Sequence, residues 1–272
     1  MRETVRLGIC QWSLPIDGPY GCQLAKELGL DGIQLDVGTH ARGFPLSKKS
    51  VQKAFLEMAR QYKIEFPSIA ITELDYFSMV APDGSSERLV ADLAIKKAIE
   101  SAQAMDVPLV MAPSFGKSMI TSGQDMTEAV SYLQFACDYA KPFGITIATE
   151  NALSANMITE LFERVNRENL KLYFDSQNHF LQKGYDIADL LKEVYPFVCE
   201  VHLKDGKEGN LSASLLGKGE TGFYRTMDVL REMNYSGWLV LENYYDREPL
   251  SLQAEDPVEL VSKDLEILNS VL

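Results

Sequence analysis

The sequence predicts a (β/α)8 barrel, and three observations lead there. Short β-rich runs alternate with longer helical patterns eight times along the chain. The length of 272 residues suits one such barrel, for which about 250 residues is typical. The G-x-G-x-x-G fingerprint of a doubly wound open sheet is missing after the first strand, where the chain reads Gln11-Trp12-Ser13-Leu14-Pro15.

The first strand is expected at residues 5–10 and a helix at 20–28, ended by Gly29. The second strand, 32–35, leads to a helix at 47–62 with Ser47 as N-cap. A third strand at 65–70 precedes a long helix at 86–105. The fourth strand, 109–112, is followed by a helix at 125–140, and the fifth, 145–149, by a helix at 154–164. The sixth strand, 171–174, is paired with a helix at 187–194, and the seventh, 198–202, with one at 223–233. Strand eight, 238–241, and a helix at 257–270 complete the count. Eight parallel strands without edges are obtained most simply by closing the sheet. Composition does not shift along the chain and no linker or low-complexity stretch interrupts it, so residues 1–272 read as one barrel domain.

Bulk composition narrows the function. Hydrophobic residues make up 46% and charged residues 24%, ordinary for a globular protein that buries a core without staples. The net charge of −13 and the absence of any Lys/Arg run exclude a nucleic-acid surface, because such a field repels phosphate backbones. The four cysteines, Cys10, Cys22, Cys137 and Cys199, form no C-x-x-C and read as reduced thiols. The segment Met1-Arg2-Glu3-Thr4-Val5-Arg6 has no secretory apolar region, and no apolar run reaches the ~18 residues of a membrane span. A cytoplasmic protein is expected.

In a barrel of this kind the chemistry sits at the C-terminal strand ends. Strand five ends Thr149-Glu150-Asn151, strand six Phe174-Asp175-Ser176, strand seven Val201-His202-Leu203-Lys204-Asp205, and strand eight Leu241-Glu242-Asn243. Four consecutive strands thus deliver Glu150, Asp175, His202 and Glu242 to one rim, each after a hydrophobic run. Alone, any of these carboxylates reads as a helix cap or loop ion pair, and a lone His as a structural one. Together they would repel: at ~4 Å and an effective dielectric near 20, each carboxylate pair costs roughly 4 kcal/mol. A divalent cation held by three carboxylates and one imidazole offsets that cost. Mixed oxygen and nitrogen ligands suit Mn, Mg, Co or Zn.

At these residues the chain resembles the xylose isomerase-like barrel family, which includes sugar and sugar-phosphate isomerases and epimerases, inosose-processing enzymes and endonuclease IV. The resemblance runs the length of the chain. It begins with Leu7-Gly8-Ile9 and with Leu28-Gly29-Leu30-Asp31-Gly32-Ile33-Gln34-Leu35, where the family commonly has Glu at the place of Gln34. It continues through Thr149-Glu150-Asn151, Phe174-Asp175-Ser176-Gln177-Asn178, Val201-His202-Leu203-Lys204-Asp205, Leu216-Gly217-Lys218-Gly219-Glu220 and Gly237-Trp238-Leu239-Val240-Leu241-Glu242-Asn243. The resemblance implies that Glu150, Asp175, His202 and Glu242 hold the metal and that Glu150 and Glu242 are also the catalytic acid/base pair. Many family epimerases carry Asp-x-x-His after strand six. Here Asp175 is followed by Asn178, with His179 next, a pattern of members with unassigned substrates. Endonuclease IV needs further histidines, and this chain has three in all. Dimers and tetramers are common in the family.

The implied chemistry is proton transfer beside a carbonyl of a ketose, a ketose phosphate or a related cyclitol, through an enediolate. Two other classes stay open: a lyase or dehydratase on an oxidised sugar, inosose or glycoside, and a non-catalytic metabolite-binding barrel. Retention of both glutamates argues against the last. Lys204 either reaches a substrate oxygen or pairs with Asp205. Gln177 and Asn178 either read substrate hydroxyls or cap the next helix. Trp12 and Phe115 either wall the substrate or pack in the core. Gly217-Lys218-Gly219 is either a phosphate cradle or a plain loop, and His40 lies in a loop after strand two.

Overall fold

In a computed structural model describing Met1 and residues 4–272, eight parallel strands follow one another as a closed barrel, β1 to β8 in chain order. Arg2 and Glu3 of the amino-terminal segment lie outside the described residues. The strands are β1 Val5–Cys10, β2 Gly32–Asp36, β3 Ser68–Ala70, β4 Leu109–Pro113, β5 Thr146–Glu150, β6 Leu170–Asp175, β7 Val198–Leu203 and β8 Gly237–Leu241. The helices among the described residues are α1 Gly21–Glu27, α2 Lys49–Tyr62, α3 Ser86–Met105, α4 Gly123–Ala140, α5 Ala155–Val165, α6 Asn178–Lys183, α7 Ile187–Val194, α8 Phe223–Glu232 and α9 Pro257–Val271. Among them, no helix is long and apolar enough to cross a membrane.

Contacts divide the chain into two compact units. The first holds Met1–Ile33, Met58–Glu65 and Phe174–Leu272. Here β1 pairs with β8 and β7 with β8, in parallel. Side chains alternate along these strands. Leu7, Ile9, Val201, Leu203, Leu239 and Leu241 are all buried on one side of the sheet. The other side carries Gly8 and Cys10, Glu200 and His202, Val240 and Glu242. The register Ile9↔Leu241 and Leu203↔Leu241 continues to bring Cys10, Glu242 and Lys204 to one level at the strand ends.

The second unit holds Gln34–Glu57 and Phe66–Tyr173, with β3, β4 and β5 paired in series and β5 continuing to β6. Gln34 is fully buried here and donates to Ser68 Oγ at 3.0 Å and Met111 Sδ at 3.6 Å. The amide is thus a structural element of the strand layer at the place of the family's glutamate.

Helix starts follow local capping chemistry. Ser85 caps α3, Ser154 caps α5, and Ser122 with Asp125 forms a capping box on α4. Ser47 does not cap α2. It ends a 3-10 turn, its hydroxyl donates to the Phe44 carbonyl, and the helix begins at Lys49. The third strand is shorter than expected because Pro67 cannot donate to a ladder; Glu65 makes only an isolated bridge to Gly32. Helix α6 was not expected. Its six residues are too few for an apolar period to register, and its N-cap residue, Gln177, makes no side-chain capping bond.

Candidate metal centre

Asp175, His202 and Glu242 come together inside the first unit. Their ligand atoms all lie within 4.8 Å of one another, and all three side chains are buried. Each stands at a strand end because the preceding apolar run fills the layer beneath it.

Asp175 is the last residue of β6, and its two oxygens do different things. Oδ1 accepts the backbone N–H groups of Gln177 at 2.8 Å and Asn178 at 2.5 Å, which fixes the carboxylate against the start of α6. Oδ2 is buried, 3.0 Å from Lys204 Nζ, yet it receives no hydrogen bond. The contact is an ion pair without hydrogen-bond geometry. A buried carboxylate oxygen without a donor is what a metal ligand offers.

Glu242 follows β8. Its Oε1 accepts from Trp12 Nε1 at 3.2 Å, and its Oε2 accepts from Lys204 Nζ at 2.5 Å and faces His202 Nδ1 at 3.3 Å. Burial pushes this carboxyl up. The charges of His202 and Lys204 and the hydrogen bonds from Lys204 and Trp12 outweigh it and hold it below the ordinary glutamate value. Glu242 is therefore ionised in a buried site. His202 presents its other nitrogen, Nε2, to Cys10 Sγ at 3.4 Å, and Trp12 stands edge-on to its ring at 6.3 Å.

Glu150 ends β5 in the second unit and is buried. Its carbonyl accepts the Ser114 N–H, which anchors the strand end to β4. Asn151 follows it, and its Oδ1 accepts from Leu153 N at 3.1 Å, turning the chain toward α5.

Several other expected residues find definite places. Lys204 does not pair with Asp205; it bridges Asp175 and Glu242, with only 2% of its surface exposed. Trp12 lies in a 3-10 turn directly after β1, half-buried against Glu242. Asn178 opens α6 and is buried. Gln177 turns its side chain to the loop after β7, giving Nε2 to the Asn210 carbonyl at 2.9 Å and accepting the Ser212 N–H at 2.8 Å. Both ends of the amide are engaged by backbone, which makes it a loop anchor. His179 is buried and stacked on Phe174, and burial pushes its imidazole down to about 4. His40 donates its backbone N–H to Glu73 and packs its ring on Phe44 and Phe77.

The Gly217-Lys218-Gly219 segment is not a free phosphate cradle. Its Gly217 and Gly219 N–H groups both donate to Asp205 Oδ2, at 2.9 and 3.1 Å. Asp205 Oδ1 takes the Thr221 hydroxyl at 2.8 Å and its own Gly206 N–H at 2.9 Å. A buried carboxylate already fills the place an anion would take. Asn243 and Asp264 were not anticipated. Asn243 holds Asp205 N, the Ser214 carbonyl and Asp264 Oδ2, tying the residue after Glu242 to α9.

The chain matches the xylose isomerase-like TIM barrel family over residues 22–271. It is 31% identical over 244 residues to a 2-epi-5-epi-valiolone 7-phosphate 2-epimerase of Actinoplanes sp., spanning 89% of this chain and 88% of that protein. It is 24% identical over 276 residues to an inosose dehydratase of Bacillus cereus, spanning 90% and 91%. A D-allulose 3-epimerase from Methylomonas sp., solved in complex with D-allulose, superposes with a TM-score of 0.77 at 18% identity, covering 99% of this chain and 98% of that one. At that identity the superposition speaks for the fold.

Proposed function

The chain belongs to the xylose isomerase-like TIM barrel family, and we propose that it is a divalent-metal-dependent epimerase or isomerase of a ketose, ketose phosphate or related cyclitol. The observation that carries this reading is the buried Asp175, His202 and Glu242 group at the strand ends, with an Asp175 oxygen that has no hydrogen-bond donor. Glu150, at the end of the strand next to β6, is the proposed fourth ligand. Each of the four can offer one ligand atom to an ion. The Actinoplanes relative supports epimerisation and a phosphorylated substrate.

Three carboxylates and an imidazole suit Mn, Mg, Co or Zn. When bound, the ion supplies Lewis acidity toward the substrate carbonyl and its neighbouring hydroxyl. The chain's own residues do the rest. Glu242, ionised in the absence of an ion, is one proton carrier; Glu150 is the other. If they act from opposite faces of the carbon next to the carbonyl, one removes the proton and the other returns it, with inversion. The Lys204 ammonium offsets negative charge that develops on the substrate oxygens. Trp12 walls one side of the substrate, and Asn178 reads a hydroxyl. Three buried cysteines and one half-buried one fit a reducing, cytoplasmic compartment. Association into a homo-oligomer belongs to the same reading.

The test is elemental analysis of purified protein beside a chelator-treated control, then a screen of ketoses, ketose phosphates and inososes for proton exchange with solvent. About one ion per chain with metal-dependent exchange is expected. Loss of a hydroxyl as water, without epimer, would favour the dehydratase reading that the Bacillus relative suggests. No metal under any loading condition removes the proposal.

A further inference from the structure

Cys10 ends β1 and is fully buried, with its sulfur 3.4 Å from His202 Nε2. The sulfur faces the Nε2 edge of the imidazole. On the Nδ1 side lies Glu242 Oε2 at 3.3 Å. The same oxygen receives the Lys204 ammonium, which also lies 3.0 Å from Asp175 Oδ2. An ammonium drawn to this point marks where the site concentrates negative potential, and it is the Nδ1 side of the ring. Two ligand atoms about 2.1 Å from one ion and 3.3 Å apart subtend roughly 100°, an ordinary angle for such ions. Nδ1 and Oε2 would both be available to hold an ion placed between them.

An imidazole that binds through Nδ1 must carry its proton on Nε2. In a ring with no exposed surface, that N–H needs an acceptor. Here a thiol sulfur lies within hydrogen-bond reach of that nitrogen, at 3.4 Å. Trp12, edge-on to the ring and bonded to Glu242, restrains the ring plane.

We infer that Cys10 is a positioning residue for the metal centre: its sulfur accepts the Nε2–H of His202 and so presents Nδ1 to the ion. The inference rests on the metal reading proposed above. The rival arrangement puts the sulfur itself on the ion, since the ligand atoms of Cys10, His202 and Glu242 also lie within 4.8 Å of one another. There, His202 would bind through Nε2 and donate Nδ1–H to Glu242.

Three measurements separate these cases. The first is Mn²⁺ affinity of wild type, Cys10→Ala and Cys22→Ala. Cys22 is equally buried, on α1 and not at a strand end, so its truncation controls for packing. Cys10→Ala is expected to bind Mn²⁺ about 10–100-fold more weakly, the range seen for lost partners of metal-bound histidines, while Cys22→Ala binds as wild type. Unchanged affinity in Cys10→Ala overturns the inference and leaves the metal reading intact. Failure of wild type to bind any divalent ion overturns both. The second measurement needs no variant: nitrogen-15 NMR of histidine-labelled, Zn²⁺-loaded wild type. With three histidines in the chain the signals can be assigned. A proton on Nε2 of His202 is expected, and a proton on Nδ1 overturns the inference. The third is the Co²⁺ absorption spectrum. An intense sulfur-to-cobalt band, lost in Cys10→Ala, would make Cys10 a ligand and overturn the positioning role.

Discussion

Lys204 shows how one residue can change what its neighbours mean. Its ammonium is buried between two carboxylates, and a buried ion pair that loses one partner typically costs about 3–5 kcal/mol. Lys204→Met leaves Asp175 and Glu242 facing each other without that cation. We expect the variant to melt well below wild type in chelator and to recover most of the difference when Mn²⁺ is added; an equal deficit in both conditions would mean the ammonium and the ion act independently. Glu242→Gln keeps the hydrogen-bonding shape of the side chain but not its charge or basicity. Its turnover should fall by roughly 10²–10⁴-fold with an unchanged circular dichroism spectrum, and near-wild-type turnover would remove Glu242 as a proton carrier. Glu150, Asp175, His202 and Glu242 stood out as candidates in the sequence because each interrupts an apolar run at a strand end. Cys10 did not, because a cysteine closing an apolar run reads as core. The pairing of Lys204 with Asp175 and Glu242 depends on residues 29 and 38 positions away, and no local pattern carries that.

At the scale of elements, the loop after β7 is organised by Asp205 rather than by an anion. Gly219 is needed because a Cβ there would sit on the Asp205 carboxylate, and one at Gly206 would sit on the Asn210 carbonyl and the Gln177 amide. Gly219→Ala should therefore lose about 1–3 kcal/mol and expose residues 206–222 to limited proteolysis. Gly123→Ala, where nothing lies within 4 Å of the added carbon, should do neither; equal protease resistance in the two variants would refute the account. Most helices and strands were legible from period alone; the caps Ser85 and Ser154 of α3 and α5 emerge only in the structure. The failures are local competitions. Ser47 is drawn into a turn by Phe44 in the left-handed region and Pro45 behind it, and Pro67 cuts the third strand short. The loop's glycines resembled a phosphate cradle because amides gathered on a carboxylate and amides gathered on a phosphate have the same sequence.

Across the whole molecule, the site is tied to the last helix through Asp264, and this tie has a pH signature. Asp264 on α9 accepts from Leu216 N at 2.7 Å, Asn243 Nδ2 at 2.7 Å and Tyr245 Oη at 2.9 Å. Burial pushes its carboxyl up to about 6, against those three hydrogen bonds, and the charge of Asp205 adds to the rise. The folded value exceeds that of the unfolded chain, about 3.9. The folded state thus holds more protons between the two values, and stability falls as pH rises through that window. The contribution is fully present below about pH 4 and lost as pH passes about 6. A shift of about two pH units corresponds to roughly 3 kcal/mol. Asp264→Asn cannot titrate, so urea unfolding of wild type and variant should converge or cross as pH rises from about 4.5 to 7.5. A constant offset across that range would show that Asp264 does not titrate on unfolding. Metal loading must be held fixed in this comparison, because an ion that binds only the folded chain adds about 2.7 kcal/mol at 100 times its Kd. Run with and without chelator, the same titration separates the two effects: the pH slope set by Asp264 should persist without metal, while the ion's contribution should vanish at every pH.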